Sequence, residues 1–217
     1  MFLIAHRAND NHDFSENSQN AIVDCLNKDY INGIEIDVRI TKDRELVLIH
    51  DPIIDFISNG HGIVKYMMLN ELRKYQYGKS KEPLVTLEEV LKKYTDKILL
   101  IELKEIGNDY ILLATELVKL LNKYPDIDVY ICSFNFRLLN YLKNNYPYIK
   151  CGLIIGYGLN KLNINNTFDF LVVSSNNLHL LNKKDSIFVF GLKKEDLNKI
   201  TKDIYLITDK SYRLSKW

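Results

Sequence analysis

The chain has 217 residues, 47% of them hydrophobic and 26% charged, enough for one well-cored domain and ordinary for a globular protein. Its 29 Lys and Arg against 28 Asp and Glu leave a net charge of +1, which gives no basic face for nucleic acid. Three cysteines without metal-ligand spacing, and apolar runs of about strand length, argue against a zinc site, a signal peptide or a membrane span and for a reducing, cytoplasmic setting.

Taken in chain order, short β-rich runs alternate with helical patterns. A strand is expected over residues 2–6, a helix over 17–28, and strands over 33–40 and 46–50. Helices over 69–75 and 87–94 follow, the second opened by Thr86 and Glu89 at capping-box spacing. The remaining strands are expected at 98–104, 129–133, 152–156, 168–174, 187–191 and 204–208, with helices at 109–123, 136–145 and 194–200. Such alternation implies βαβ units and a parallel sheet covered by helices. Nine strand segments are one too many for an eight-stranded barrel. The short link between 33–40 and 46–50 is too brief for a parallel crossover, so those two segments are expected to form one long or bent unit. No glycine-rich phosphate loop follows the first strand, which disfavours a dinucleotide-binding sheet. The expected fold is therefore a (β/α)8 TIM barrel.

The charges on these strands are informative. Glu35, Asp37 and Arg39 share one strand face, and Ile34, Ile36 and Val38 share the other. A half-exposed antiparallel strand would alternate in the same way. In a barrel, however, the charged face points into the lumen, where carboxylates are costly unless a cation or hydrogen bonds compensate. The segment 98–104 is apolar at its start and ends in Glu102 and Lys104, again on one face. Functional residues of such barrels gather at the C-terminal ends of strands. His6 closes the first strand, His50 ends the continuation of the second, and Glu102 and Lys104 end the third. Three carboxylates without a Cys or His cluster suit Mg²⁺ or Ca²⁺. His6 and His50 can exchange protons near neutral pH, and Arg7 and Lys104 supply positive charge for a phosphate. As chemistry, this set describes phosphodiester cleavage.

The segments Ile4–Arg7, Glu16–Ser18, Glu35–Asp37 with Thr41 and Asp43, and His50–Pro52 resemble, in order, the signature of the glycerophosphodiester phosphodiesterase family. Leu84–Val90, Glu102–Lys104, Ser133-Phe134 and Ile207–Asp209 carry the resemblance along essentially the whole chain. It implies a metal-dependent barrel that hydrolyses glycerophosphodiesters, such as glycerophosphocholine or glycerophosphoethanolamine, to an alcohol and glycerol 3-phosphate. By the same resemblance His6 and His50 would be the acid/base pair, with Arg7 beside them, and Glu35, Asp37 and Glu102 the metal ligands. Arg7 and Lys104 would contact the phosphate, Glu16 would orient its neighbours, and Phe190 would stand where the family has a substrate-facing Trp. Residues 51–84 would form the family's insertion after the second strand, within a single domain spanning 1–217.

The chain departs from the signature at Ala8 and Arg44, which replace glycines, at Ser15, which replaces a proline, and at Ser18, which replaces a threonine. A glycine at position 8 would serve a positive φ or a close ligand approach. Two other readings stay open: a lysophospholipase-D-like enzyme, which shares the site but needs an apolar approach surface, and a decayed barrel that binds a phosphodiester without turnover. A small-molecule substrate is expected, with no nucleic-acid partner and no stable membrane insertion. His12, His61 and His179 match nothing and are expected at the surface.

Overall fold

The computed structural model describes residues 1–10, 13–94, 96–105, 108–156, 167–180, 187–192 and 204–209. Nine strands form one sheet: β1 (Phe2–Ala5), β2 (Gly33–Ile40), β3 (Leu46–Leu48), β4 (Ile98–Leu103), β5 (Val129–Ser133), β6 (Lys150–Ile155), β7 (Phe170–Ser174), β8 (Ile187–Phe190) and β9 (Tyr205–Thr208). All but β3 run parallel, each bonded to the next. β9 returns to pair with β1 and β1 pairs with β2, which closes an eight-stranded barrel.

β3 corrects one expectation. It is no continuation of β2 but turns back along it, pairing antiparallel as Val38↔Leu48, Arg39↔Val47 and Ile40↔Leu46. A connection too short for a crossover is long enough for a hairpin, and Thr41 builds it: its hydroxyl donates to Asp43 Oδ1 and accepts from the Glu45 amide. Arg44, in a position where the family signature has glycine, takes φ +69° in this turn. The hairpin leaves eight parallel strands and brings the chain after β3 back beside Asp37, where the Ile49 amide donates to the Asp37 carbonyl.

The described helices are α1 (Gln19–Leu26), α2 (Leu69–Leu72), α3 (Leu87–Leu91), α4 (Tyr110–Leu121) and α5 (Phe136–Asn145). Several start on side-chain caps: the Ser18 hydroxyl accepts from Ala21, Thr86 and Glu89 form the expected capping box, and Asn135 accepts from Arg137 and Leu138. α2 and α3 end sooner than the periodicity suggests. The expected helix at 194–200 and His12 lie outside the described residues, as does the side chain of His179. The His61 side chain is exposed, paired with Asp55.

Two apolar layers position the rest. Outside the barrel, Ile34, Ile36 and Val38 pack with Leu99 and Ile101 against Ile22, Leu113, Leu117 and Leu138 of the helices. Inside it, Ile4, Leu100, Cys132, Ile154, Phe170, Val172, Phe188 and Ile207 fill the lumen. Tyr130, Phe170, Phe188 and Tyr205 stack into an aromatic cluster there. Gly33 lets β1, β2 and β4 approach closely, because a Cβ at that position would lie 2.3 Å from the Ile98 carbonyl oxygen. Between β3 and α3, Ile49, Ile54, Val64, Leu72, Tyr77 and Leu84 make a small core of their own with Val47. No helix among the described residues is long and apolar enough to cross a membrane.

Candidate active site

β2 is buried along its whole length, so its charged face is no solvent face. Glu35 and Asp37 are only 3% and 1% exposed, and the parallel register sets Asp37 beside Glu102 of β4. One oxygen from each of Glu35, Asp37 and Glu102 can be chosen so that all three lie within 4.8 Å of one another. Glu35 Oε1 is buried without a hydrogen-bond partner among the described residues. Asp37 Oδ1 and Glu102 Oε1 meet the Lys104 ammonium only as ion pairs, at 3.2 and 2.7 Å. Burial, with Asp37 and Glu102 adding repulsion, pushes the Glu35 carboxyl up to about 8. Glu102 is raised as well, by burial against the pull of Lys104. Burial works against the Lys104 charge, but Asp37 and Glu102 hold its pKa above the ordinary value. Crowded carboxylates, one of them with a buried oxygen that has no partner among the described residues, are what a divalent cation would relieve, and this triad could hold one.

Arg7 and Ala8 follow β1 in a tight turn with φ +50° and +52°. Left-handed backbone costs a non-glycine residue roughly 1–2 kcal/mol. The turn aims the Arg7 amide at Glu35 Oε2, 2.8 Å away, and Ala8 is fully buried. The Arg7 guanidinium holds Asp37 through Nε at 3.3 Å and both oxygens of Glu16 through Nη1 at 2.9 Å.

His6 and His50 line the same cavity as Glu35 and Glu102. His6 Nδ1 lies 2.7 Å from Asp209 Oδ1, and its Nε2 lies 4.0 Å from Glu35. Burial disfavours the imidazolium, yet the Asp209 hydrogen bond and the Glu35 charge outweigh it and raise the His6 pKa. His50 Nδ1 is held by Asp51 at 2.7 Å. In both rings a carboxylate on Nδ1 leaves Nε2 for the lumen, with the tautomer set by that partner.

Several contributors were not evident as such in the sequence. Asn17 forms a reciprocal pair with Asp37: its side-chain amide donates to Asp37 Oδ2 at 2.9 Å, and its Oδ1 accepts from the Asp37 amide at 3.1 Å. Its φ of +56° and the bond from its amide to the Arg7 carbonyl place it there. Arg39, on the same strand face as Glu35 and Asp37, is buried. It donates through Nε and Nη2 to the His50 carbonyl at 2.9 and 2.7 Å and through Nη1 to the Lys104 carbonyl. Asp209 sits 203 residues from His6. The only prior signals were membership of the quoted motifs, for Asn17, Asp51 and Asp209, and strand alternation, for Arg39. Ser133 spends its hydroxyl on the Leu103 carbonyl.

Three cavities meet at these residues. One of about 540 Å³ is lined by His6, Arg7, Glu35, His50, Glu102 and Lys104 and walled by Phe190 and Phe134. One of about 560 Å³ adjoins it along His50, Glu102 and Lys104 towards Arg137. A third, of about 730 Å³, runs from His50 beneath residues 56–59 and 76–85. His6, Arg7, Glu16, Glu35, Asp37, His50, Glu102, Lys104 and Phe190 are therefore gathered at one end of the barrel, on β2, β4, β8 and the segments that follow β1, β3 and β4.

Residues 6–200 match the model of the glycerophosphoryl diester phosphodiesterase family. A protein of Bacillus subtilis named a putative glycerophosphodiester phosphodiesterase is 36% identical over 166 residues, 71% of this chain and 65% of its own length. A glycerophosphodiester phosphodiesterase of Caldanaerobacter subterraneus is 35% identical over 167 residues, 72% of this chain and 68% of its own. Among solved structures, an Oleispira antarctica phosphodiesterase in complex with the product sn-glycerol-3-phosphate superposes with a TM-score of 0.82 at 20% identity, covering 99% of this chain and 96% of that one. A glycerophosphodiester phosphodiesterase from Thermotoga maritima gives 0.77 at 23% identity, covering 99% and 97%. Likenesses at that identity establish the barrel fold and nothing finer.

Proposed function

The chain belongs to the glycerophosphoryl diester phosphodiesterase family, and on that premise we propose that it is a divalent-metal-dependent hydrolase of glycerophosphodiesters, releasing an alcohol and glycerol 3-phosphate. The observation that carries this reading is the convergence of a carboxylate triad, two carboxylate-supported histidines and Arg7 on one cavity.

Glu35, Asp37 and Glu102 would hold the ion, Mg²⁺ or Ca²⁺ by the all-oxygen donor set. Such an ion supplies Lewis acidity and offsets charge at the phosphoryl group. The Arg7 guanidinium, bonded to Glu16 through Nη1 and paired with Asp37 through Nε, would take a phosphate oxygen, and the Lys104 ammonium adds a second positive charge from the β4 side. His6, whose Nδ1 is held by Asp209 at 2.7 Å and whose charged form is thereby favoured, is assigned as the acid that protonates the departing alcohol oxygen. His50 is assigned as the base for the attacking O–H, either a water that displaces the alcohol directly or the substrate's own glycerol hydroxyl, whose cyclic phosphate a water then opens. Phe190 and Phe134 wall the space for the substrate's organic part. Residues 51–84 are read as an insertion within one domain. The three buried, unpaired cysteines suit a reducing compartment, and we place the protein in the cytoplasm.

Cleavage of monoacyl glycerophosphodiesters is a second reading. It is favoured by the cavity beside His50, whose walls include Phe14, Ile49, Phe56, Ile57, Tyr77 and Leu84 and would suit an acyl chain. One experiment addresses both readings. Release of choline or ethanolamine is measured from glycerophosphocholine, glycerophosphoethanolamine and their monoacyl counterparts, with and without chelator. Turnover of the deacylated substrates that chelator abolishes and Mg²⁺ or Ca²⁺ restores is the expected result. Turnover indifferent to chelator would remove the metal, and binding without turnover of any substrate would leave a decayed barrel.

Asn17→Ala should lower Mg²⁺ affinity by roughly 10–100-fold, the usual cost of losing an outer partner of a metal ligand. Isothermal titration reads it directly, and unchanged affinity would separate the Asn17–Asp37 pair from the metal.

A further inference from the structure

The segment that carries Glu16 and Asn17 is fastened to residues 51–84 by direct hydrogen bonds. Ser15 and Ser80 are joined by a reciprocal clasp: their hydroxyls lie 2.6 Å apart, the Ser15 amide donates to Ser80 Oγ at 3.1 Å, and the Ser80 amide donates to Ser15 Oγ at 3.0 Å. Ser15 is 8% exposed, so little water competes. Gly78, at φ +60°, makes room for it, because a Cβ at that position would lie 2.2 Å from Ser15 Oγ. Nearby, Glu82 accepts from the Asn20 amide, a second tie between the same two segments. A proline at position 15, as in the family signature, would have neither the N–H nor the hydroxyl for this clasp.

The residues after Ser15 give the clasp its consequence. Glu16 holds the Arg7 guanidinium, and Asn17 holds both the side chain and the amide of Asp37. The next residue, Ser18, caps α1, which anchors the segment at its other end. The two residues that orient a phosphate-binding arginine and a metal-binding carboxylate thus hang between a helix cap and the two serines. The span is too short for slack.

We propose that Ser15 and Ser80 are positioning residues, a latch through which the insertion at 51–84 sets the placement of Arg7 and Asp37. The assignment rests on the metal-dependent reading of the site. It makes the insertion a working part of that site in addition to a wall of the neighbouring cavity.

The test compares Ser80→Ala, Ser15→Ala, the double variant and Ser80→Thr in the full chain. For each, Mg²⁺ affinity is read by calorimetry, kcat and KM with glycerophosphoethanolamine, and thermal midpoint. Each alanine variant should lose about tenfold in Mg²⁺ affinity and in kcat/KM, the low end for an outer partner. The double variant should be no worse than the poorer single one, because both remove the same clasp. Ser80→Thr, which keeps the hydroxyl, should recover both constants. Wild-type affinity and kcat/KM in the alanine variants, or a lowered midpoint alone, would overturn the latch. If Ser80→Ala does not fold, Ser15→Ala, which keeps its amide bond to Ser80, carries the same readouts. A wild-type chain that binds Mg²⁺ but hydrolyses nothing would refute the activity while the affinity measurements still decide the latch.

Discussion

His6→Ala should cut hydrolysis of glycerophosphocholine by roughly 10²–10⁴-fold, the range for loss of a general acid or base. The same variant should lose far less on a p-nitrophenyl diester of glycerol phosphate. A nitrophenolate leaves without a proton, so an enzyme lacking only its acid is largely excused from that step. His50→Ala should lose comparably on both substrates, because the attacking hydroxyl must be deprotonated whatever departs. The asymmetry comes from the two settings. His6 lies within reach of two carboxylates, Asp209 at 2.7 Å and Glu35 at 4.0 Å, and these outweigh its desolvation. His50 has Asp51 on Nδ1, while its backbone carbonyl is gripped twice by Arg39. Equal losses for both variants on both substrates would sink the assignment of acid and base, and a reversed pattern would exchange the two roles.

The ionisable part of this site was legible for a physical reason. A parallel barrel strand is apolar nearly throughout, so Glu35, Asp37, Glu102 and Lys104 stood out against β2 and β4, and period-two alternation put them on the inner face. Their burial and mutual approach follow from the register Asp37↔Glu102. A short connection does not by itself tell a hairpin from a bent strand at Leu46–Leu48, since both satisfy it. Yet His50 reaches the mouth either way. Partnerships were hidden where they depend on backbone twist or distant closure. Asn17 meets Asp37 only because the chain takes positive φ at Arg7, Ala8 and Asn17, and Asp209 meets His6 only because β9 closes on β1.

Two positions where the chain lacks the expected glycine show why that residue is usual there. Ala8 and Arg44 both keep positive φ, at +52° and +69°. The backbone path is retained and each carries the steric cost, roughly 1–2 kcal/mol, that glycine would avoid. At Ala8 the methyl group is fully buried and Cys25 donates its thiol to the carbonyl, so the turn that aims the Arg7 amide at Glu35 is supported from behind.

Glu35→Gln should leave the metal-free protein about as stable as wild type at pH 7 while removing the stabilisation that Mg²⁺ confers. In the metal-free protein Glu35 is buried beside Asp37 and Glu102, and its carboxyl is pushed up to about 8, so at pH 7 the neutral acid dominates and a neutral amide is a fair replacement. The sign for wild type comes from linkage. A carboxyl whose folded pKa exceeds its unfolded value holds a proton that the unfolded chain has released. The metal-free fold should therefore lose stability as pH rises from the ordinary glutamate range towards 8, and Glu35→Gln should flatten that slope. Metal binding runs the other way: the ion competes with the proton, so its affinity should rise over the same window. An ion at a hundred times its Kd stabilises a fold by about 2.7 kcal/mol, a shift easily read in the thermal midpoint. The variant keeps Glu35's shape but gives up the charged oxygen that no donor among the described residues occupies, so that shift should vanish and turnover should fall by more than about a hundredfold. If Glu35→Gln retained the full Mg²⁺-dependent shift, the ion would sit elsewhere, and the crowding of Glu35, Asp37 and Glu102 would need another cause.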